Sequence, residues 1–350
     1  VYLLGTGEMI VAGRVLASFP EGADIEEAAA RAGLRIVGRF EPVPGVWELD
    51  DGAGSGHDLV LGAMRLVEEG LARWADPDFI MPMEKRYTPN DVRFTRQWHL
   101  HNTGLSGGQP DVDVNAPEGW DLMPADARLG HPDILIAVID GDLEWRHEDL
   151  ADNVWTNPNE IPNNSVDDDG NGCVDDAIGG CDFLDQSGDP GDPSTPDPCD
   201  DHGTSVAGVS AAVGDNVLGV TGACGACRVI GARLIGEPHS SGTTAAAFAY
   251  AARNGAAVIN NSWGPGADPA PLPSVVKTSI DTAWEGGYAA QGGRVAGSLI
   301  TFSAGNEAES GQTCDTDGYV AYERTVAVGA INEDGQRSLY SEFGDTLDIM

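Results

Sequence analysis

Lysine is almost absent from this sequence of 350 residues, in which only Lys85 and Lys277 occur. Arginine therefore carries most of the positive charge, and 56 acidic residues leave a formal net charge of −37. Nucleic acids are bound through lysine and arginine on their phosphates, so this charge argues against a nucleic-acid partner. It suits a protein that holds cations or meets cationic partners.

The sequence also lacks a hydrophobic run long enough to span a membrane, and no signal peptide precedes Val1. We therefore expect no membrane span, and we expect that residues upstream of Val1 are missing. An apolar fraction of 41% is enough for a core, and 47 glycines favour a loop-rich enzyme. The length favours one large domain and a small one.

Cysteine is sparse, with six residues in the chain. In a sequence rich in acid and loops, six cysteines are enough for three disulfides and favour an extracellular location. Two pairs are close enough in sequence for local bridges, namely Cys173/Cys181 and Cys224/Cys227. Cys199 and Cys314 remain. Zinc binding is the alternative, although the spacings differ from those of zinc ribbons and fingers.

Residues 1–88 have the pattern of a small α+β unit. Four strand-like and two helical segments follow one another as VAGRVLASF, DIEEAAARAG, LRIVGRF, GVWELDD, GHDLVLGAMRLVEEG and ARWADPDFIMPM. An acidic N-cap and a glycine stop bound the first helix. The order βαββαβ predicts a ferredoxin-like domain.

Residues 89–350 alternate strands with helices. The apolar run DILIAVID predicts a buried strand, and RVIGARL, GAAVINNSW, GSLITFSAG and RTVAVGAI predict four more. Helical segments lie between them, beginning near Thr204, Thr243 and Pro273. This alternation predicts an α/β fold with a doubly wound parallel sheet. Such sheets place their sites at the carboxyl ends of strands, where Asp140, Ser262 and Asn306 occur.

Each of these polar residues also has a purely structural explanation. Asp140 and His202 can cap a turn or a helix, and Asn306 can occupy a turn. Nucleotide binding is a weaker alternative because no strand is followed by GxGxxG or by a P-loop lysine. Taken together, the acid and the histidine occur in the chain order that one class of serine protease uses.

Four motifs carry a resemblance to a known family: IAVIDGDLEWRHEDL, DDHGTSVAGVSAAVGDNVLGVTG, VINNSWGP and TFSAGNEA. Their order and separations resemble those of the subtilisin-like serine proteases over residues 95–350. Residues 1–88 resemble the N-terminal propeptide of that family. The resemblance implies a subtilisin-like peptidase domain with a small propeptide domain in front of it.

The resemblance also implies a role for each matching residue. Asp140 matches the acid that orients the base, and His202 matches the general base. Asn306 matches the side chain that donates a hydrogen bond to the oxyanion. An extended peptide substrate would pair with a short segment made of Ser262, Trp263 and Gly264.

The nucleophile of that family is not among these residues. The family carries its serine at a Gly-Thr-Ser helix start after the strand that VAVGA matches, and this sequence stops at GDTLDIM. The similar SSGTTAAAF around Thr243 precedes VINNSWG and therefore occupies the wrong place. We expect the serine beyond residue 350, and we expect residues 1–350 alone to be inactive.

The loop NSVDDDGNGCVDD resembles the first half of an EF-hand, with Asp167, Asp169 and Asn171 at alternate positions and Asp175 after them. The glutamate that ends an EF-hand loop is missing. No lysine or arginine occurs from position 147 to 227, so nothing nearby in sequence neutralises these carboxylates. A solvated acidic loop is the alternative, and Ca²⁺ is the cofactor that we expect.

A second calcium site is implied by the family resemblance. Its matching residues are one carboxylate and a later loop: Asp149, Val213, Asn216, Val217 and Gly219. Val213, Val217 and Gly219 would supply carbonyl oxygens, and Asn216 would supply a side-chain oxygen.

Within the family, NDVRFTRQWHLHNTG, SWGP and CDTDGY resemble the kexin and furin branch, which cleaves after basic pairs. Asp317 matches one carboxylate of the pocket for the residue before the cut, whereas Ala267, next to Asp268, stands at the other. Lys85-Arg86 lies at the junction of the two regions. It predicts an autoprocessing site, with a solvated linker as the ordinary alternative.

These features together predict a secreted, calcium-dependent serine endopeptidase that acts on protein and peptide substrates. In relatives, the front domain is a folding chaperone and an intramolecular inhibitor, while an independent small domain is the alternative. A second hypothesis for the whole chain is a non-catalytic extracellular binding module that keeps the fold and the calcium.

Overall fold

The computed structural model describes residues 2–4, 7–80, 87–105, 107–191, 201–265 and 269–350. Contacts divide the chain into two compact units, Val1–Lys85 and Arg86–Met350. The sequence placed this boundary after residue 88. Within the ranges just given, no helix is both long enough and apolar enough to cross a bilayer.

The first unit is an antiparallel sheet packed against two helices. Its elements are β1 (Tyr2–Leu4), β2 (Gly7–Ser18), α1 (Ile25–Ala32), β3 (Arg35–Arg39), β4 (Val46–Asp50), α2 (Gly56–Glu68) and β5 (Trp74–Ile80). Strand β2 pairs with β4 and β5, and β4 pairs with β3, all antiparallel. From β2 onward this is the βαββαβ, ferredoxin-like arrangement that the sequence predicted.

Helix α1 begins and ends at its capping residues. The Asp24 carboxylate accepts a hydrogen bond from Glu27 N at 3.0 Å, and Gly33 ends the helix with a left-handed φ of 75°. Val15 and Leu49 of the sheet share one buried core with Leu59 of α2.

The second unit is built on a six-stranded parallel sheet. Its strands are β6 (Leu135–Asp140), β7 (Gly180–Asp182), β8 (Arg228–Arg233), β9 (Val258–Asn261), β10 (Leu299–Ser303) and β11 (Val326–Val328). Its helices are α3 (Ala116–Asp121), α4 (His202–Ala211), α5 (Ser241–Arg253) and α6 (Ser274–Trp284). Short 3₁₀ helices occur at Phe94–Arg96, Ala151–Asn153, Ala289–Gln291, Ala308–Ser310 and Cys314–Thr316. The strand order is β11-β10-β9-β6-β8-β7.

Helices cover both faces of this sheet. Val138 of β6 shares a core with Ala207 of α4 on one face. On the other face, Ile139 of β6 shares a larger core with Phe248 of α5 and Ile280 of α6. The predicted doubly wound parallel sheet is therefore confirmed.

Two disulfides close local loops, as the spacings indicated. They join Cys173 to Cys181 and Cys224 to Cys227, which leaves those thiolates unavailable as zinc ligands. Cys314 is a buried free thiol. The other remaining cysteine, Cys199, lies outside the described residues.

A buried hydrogen-bond network ties the acidic loop to helix α5. Asp176 is fully buried, and its carboxylate accepts from Tyr250 Oη at 2.7 Å, Asn171 Nδ2 at 2.8 Å and Asn157 Nδ2 at 3.0 Å. Burial raises the pKa of Asp176, and these three donors oppose that effect. The loop is thereby fixed to the main core through one carboxylate.

We expect Tyr250→Phe to lower the free energy of unfolding by about 1.5–3 kcal/mol, because a hydrogen bond to a buried charged group is lost. Urea unfolding measures this loss. Tyr340→Phe is the matched control, since Tyr340 is 49% exposed, and it should leave stability unchanged. Equal effects of the two substitutions would contradict the expected role of Tyr250.

Candidate active site

The carboxyl edge of the parallel sheet brings Asp140 and His202 together. Asp140 ends β6 and is 2% exposed, while the side chain of His202, the first residue of α4, is 59% exposed. Nδ1 of His202 lies 2.6 Å from Oδ1 of Asp140. Gly141 N also donates to this Oδ1, at 2.7 Å. Such short contacts are typical of charge-assisted hydrogen bonds.

The start of helix α4 is held against the loop that follows β6. A Cβ at Gly203 would lie 2.8 Å from the carbonyl oxygens of both Gly141 and Asp142, so only glycine permits this approach. Thr204 Oγ1 donates to the Asp142 carbonyl at 3.2 Å and accepts from Glu144 N at 2.9 Å. These contacts place the imidazole beside the carboxylate.

The contact with Asp140 determines the chemistry of the imidazole. A carboxylate accepts but cannot donate when ionised, so Nδ1 of His202 carries the proton in this hydrogen bond. Nε2 is then the nitrogen whose lone pair can accept a proton. The pair has the arrangement of an oriented general base.

The segment after β9 lies at the same edge of the sheet. Ile139, Asn261 and Phe302 align across β6, β9 and β10, so Ser262 stands level with Asp140. The indole Nε1 of Trp263 donates to the Ile139 carbonyl at 2.8 Å.

The ring of Trp263 packs edge-on against two aromatic neighbours. The ring centroids lie 5.3 Å from Phe302 and 5.6 Å from Tyr319. Together with the indole hydrogen bond, this packing fixes the backbone that leads to Gly264.

Asp317 meets this segment from another part of the chain. A Cβ at Gly264 would lie 3.1 Å from Asp317 Oδ2, so the carboxylate lies beside the backbone of the proposed substrate strand. Asp317 is held by a parallel bridge to Ala270, and its Oδ1 accepts from Tyr319 N at 2.8 Å. Ala267 and Asp268 lie outside the described residues.

Asn306 lies at the same edge, three positions beyond the end of β10, and it is exposed. Its turn is held by Glu342, a buried residue that the sequence did not single out. Glu342 N donates to the Gly305 carbonyl at 3.0 Å, and Glu342 Oε1 accepts from Glu307 N at 3.3 Å. The structure does not place Asn306 in contact with Asp140, since β9 separates their strands.

Three carboxylates converge in the acidic loop. Ligand oxygens of Glu160, Asp167 and Asp169 all lie within 4.8 Å of one another. Burial, and the nearby charge of Asp176, raise the pKa of Glu160. An all-oxygen set with this much negative charge fits a hard cation such as Ca²⁺. Glu160 was missed in the sequence because it precedes the EF-hand-like segment.

Two further residues predicted for this site accept hydrogen bonds from the surrounding backbone. The Asp175 carboxylate accepts from Asn164 N at 2.8 Å and from Ser165 N at 2.9 Å, and it is not part of the converging group. The side-chain oxygen of Asn171 accepts from Cys173 N at 2.9 Å. Asn171 N also donates to Asp167 Oδ1 at 3.1 Å and to Asp169 Oδ1 at 2.9 Å, so Asn171 lies against the carboxylate cluster.

The residues of the second predicted calcium site are also close together. Asp149 is buried, and its carboxylate accepts from Asn216 Nδ2 at 2.7 Å and from Val220 N at 2.8 Å. Val213 N donates to the Asp149 carbonyl at 2.8 Å. A Cβ at Gly219 would lie 2.1 Å from Asp149 Oδ2.

Asp91 joins this group and was missed in the sequence. Its carboxylate is buried and accepts from Asp215 N at 2.9 Å and from Asn216 N at 3.4 Å. Nearby, Val217 N donates to Asn90 Oδ1 at 2.9 Å. Burial raises the pKa of Asp91. Two buried carboxylates beside one loop supply oxygen ligands of the kind that a hard cation prefers, although in this structure they accept hydrogen bonds from backbone N–H groups and Asn216 Nδ2.

Comparison with known proteins adds to this geometry. A family model described as "Subtilase family" matches residues 131–350. A calcium-dependent protease of Nostoc sp. is 28% identical over 335 residues, which cover 92% of this chain and 43% of that protein. Neuroendocrine convertase 2 of Bos taurus is 28% identical over 254 residues, or 72% of this chain and 35% of that protein.

A solved structure has the same fold. The serine protease of Aeromonas sobria, solved with the chaperone ORF2, matches with a TM-score of 0.55 and 24% identity, covering 75% of this chain and 43% of that one. The chain described here spans less than half the length of either curated relative.

We expect Asp149→Asn to lower stability by about 1–3 kcal/mol, because the new amide group would face either Asn216 Nδ2 or Val220 N, donor against donor. Urea unfolding in the presence of a chelator measures this effect without any contribution from a metal. The control is Asp152→Asn, an exposed residue in the adjacent 3₁₀ helix. If the control loses as much stability, the hydrogen bonds of Asp149 are not the cause.

Proposed function

The chain belongs to the subtilase family, and on this basis we propose that it is part of a secreted, calcium-dependent serine endopeptidase. The observation that carries the proposal is the 2.6 Å contact between His202 Nδ1 and Asp140 Oδ1. In this proposal the buried carboxylate orients the ring and stabilises the imidazolium. Nε2 removes the proton of a serine hydroxyl during attack on a peptide carbonyl.

We propose that the serine is supplied from beyond residue 350. A groove of about 390 Å³ supports this idea. Its lining includes Ser210 of α4, Ser262, Ser303 and Val328, so it lies against the helix whose first residue is the candidate base. A helix with a hydroxyl at its start would bury apolar surface there.

The other roles follow from the same edge of the sheet. An extended peptide would add to the segment from Ser262 to Gly264 through backbone hydrogen bonds, with Trp263 holding that segment in place. Asn306, exposed after β10, would donate to the oxyanion.

The carboxylate of Asp317 beside Gly264 supports a preference for basic residues before the cut. Lys85-Arg86 would then be an autoprocessing site, although it lies outside the described residues.

We further propose that Ca²⁺ binds at Glu160, Asp167 and Asp169, and at the loop around Asp149. When bound, the ion neutralises carboxylates that have no lysine or arginine near them in the sequence. Its contribution is to the stability of the loops.

The ferredoxin-like unit is proposed to act as a propeptide, both folding template and intramolecular inhibitor. A parallel sheet with pairings distant in sequence folds slowly, so a template has a physical reason. A non-catalytic, calcium-stabilised binding module remains the second candidate, because the acidic cluster does not depend on catalysis.

In the protein translated from the complete coding region, we expect His202→Ala to lower peptide hydrolysis by about 10⁶-fold, because the general base is lost. The measurement is cleavage of a quenched peptide, together with labelling by a fluorophosphonate. His131→Ala is the control, since that side chain is 54% exposed.

Residues 1–350 alone should neither cleave the peptide nor react with the fluorophosphonate. Absence of both signals in the complete product would favour the binding module. Cleavage by residues 1–350 that depends on His202 would disprove the proposed source of the serine.

We expect a chelator to lower the melting temperature by roughly 5–10 °C from its value at a hundredfold excess of Ca²⁺ over Kd, as follows from linkage. Asp167→Asn combined with Asp169→Asn should remove a large part of this calcium-dependent shift. Asp175→Asn, on the same loop, should retain it. A melting temperature that does not change when the chelator is added would rule out the calcium sites.

We expect Asp317→Asn to cost about 2 kcal/mol in transition-state binding of peptides with arginine before the cut, roughly a 30-fold loss in kcat/KM. Peptides with a neutral residue there should change much less. Asp315→Asn, at an exposed neighbouring position, is the control. A uniform loss across both peptide classes would argue against charge recognition by Asp317.

A further inference from the structure

Arg233 at the end of β8 is a buried cation beside the candidate catalytic pair. It is 6% exposed, and its guanidinium forms ion pairs with Asp182 through Nη1 and with Asp142 through Nε. Asp182 is fully buried, and its other oxygen accepts from Leu184 N at 2.7 Å. One arginine thus joins the end of β7 to the loop after β6.

The sheet places this arginine in the same row as Asp140. Asp140 of β6, Arg233 of β8 and Asp182 of β7 are register partners. Residues in register on neighbouring strands point to the same face, so all three side chains point to one face of the sheet. Val138 of β6 points to that face as well and shares a core with Ala207 of α4.

The backbone of Asp140 is fixed from the same side. Its carbonyl accepts from Leu234 N at 2.8 Å and from Ile235 N at 3.1 Å, the two residues that follow Arg233. The Asp142 side chain is bound by Arg233, while the Asp142 carbonyl accepts from Thr204 of α4. Arg233 therefore binds the loop that contacts the histidine helix, while the two residues that follow it hold the backbone of Asp140.

The positive charge of Arg233 also affects the ionisation of the carboxylates around it. Asp140, Asp142 and Asp182 bring three carboxylates into one corner, and like charges at short range favour protonation of one of them. Burial opposes the charge of Arg233, but the hydrogen bonds to Asp182 and Asp142 raise its pKa. The guanidinium thus allows the neighbouring carboxylates to remain ionised.

We propose that Arg233 is a positioning residue: by binding Asp142 and Asp182 it holds the end of β6 so that Asp140 keeps its hydrogen bond to His202 Nδ1. The catalytic significance of this positioning role rests on the proposed protease function. The contact itself can be tested in the chain of residues 1–350 without any peptidase assay.

The test is the NMR signal of the His202 Nδ1 proton, which a hydrogen bond to a carboxylate shifts far downfield. We expect this signal in the parent chain, where His202→Ala assigns it by its loss. Arg233→Met should remove or broaden the signal while circular dichroism shows a folded protein. Arg233→Lys, which keeps the charge, should restore part of it.

The matched control is Arg324→Met. Arg324 also bridges two carboxylates, Asp281 at 3.2 Å and Glu285 at 2.6 Å, but it does so through helix α6. This control makes the same change in net charge and should leave the signal unchanged. A folded Arg233→Met chain with an unshifted signal of full intensity would overturn the proposal.

If Arg233→Met does not fold, Asp142→Asn tests the same proposal. This change removes one of the two ion pairs and leaves Arg233 paired with Asp182, so that no buried cation is stranded. The signal should broaden, and an unchanged signal would reject the proposal. A protease that fails in the peptide assay but shows these NMR effects would refute only the proposed function.

Discussion

The hydrogen bond between Asp140 and His202 depends on the way a parallel sheet ends. All strands of the second unit run in one direction, so their last residues meet at one edge, and residues far apart in sequence become neighbours there. The two side chains are 62 positions apart, and they meet because β6 ends at Asp140 and α4 begins at His202. Gly203 permits the close approach of these two ends. The proposed substrate segment and the oxyanion candidate lie at the same edge.

A chain with a net charge of −37 and two lysines has little positive charge with which to balance buried acid. Several of its buried carboxylates accept hydrogen bonds from uncharged donors instead. Tyr250 and two asparagines surround Asp176, and backbone amides cover part of Asp149 and Asp91. Around Glu160, Asp167 and Asp169 the carboxylates face one another, and there an external cation is the simplest source of balance. The acidity of the chain and the proposed calcium binding are thus two aspects of one composition.

The sequence was sufficient for the parts of the structure that rest on local pattern or on motifs. Both sheets, the βαββαβ order and the pairing of four cysteines came from periodicity and spacing. The sequence was insufficient where residues far apart in the chain come into contact without a motif or a regular spacing that would indicate it. Glu160 lies outside the EF-hand-like spacing, Asp91 reaches the loop after α4 from the start of the second unit, and β7 has only three residues. Asp175 was assigned by spacing alone, and in the structure its carboxylate accepts a hydrogen bond from Asn164 N.

Carboxylates near His202 are balanced by the guanidinium of Arg233, whereas those of the acidic loops are proposed to be balanced by a metal ion. Each source of positive charge suits its location. A divalent cation beside His202 would disfavour the imidazolium that a general base must form, because like charges repel strongly at short range. A guanidinium bound to two carboxylates has the opposite effect, since the trio of Arg233, Asp142 and Asp182 carries a net charge of −1. It therefore holds the carboxylates in place without a positive field at the histidine. The acidic loops perform no proton transfer in the proposed reaction, and a metal ion can serve there.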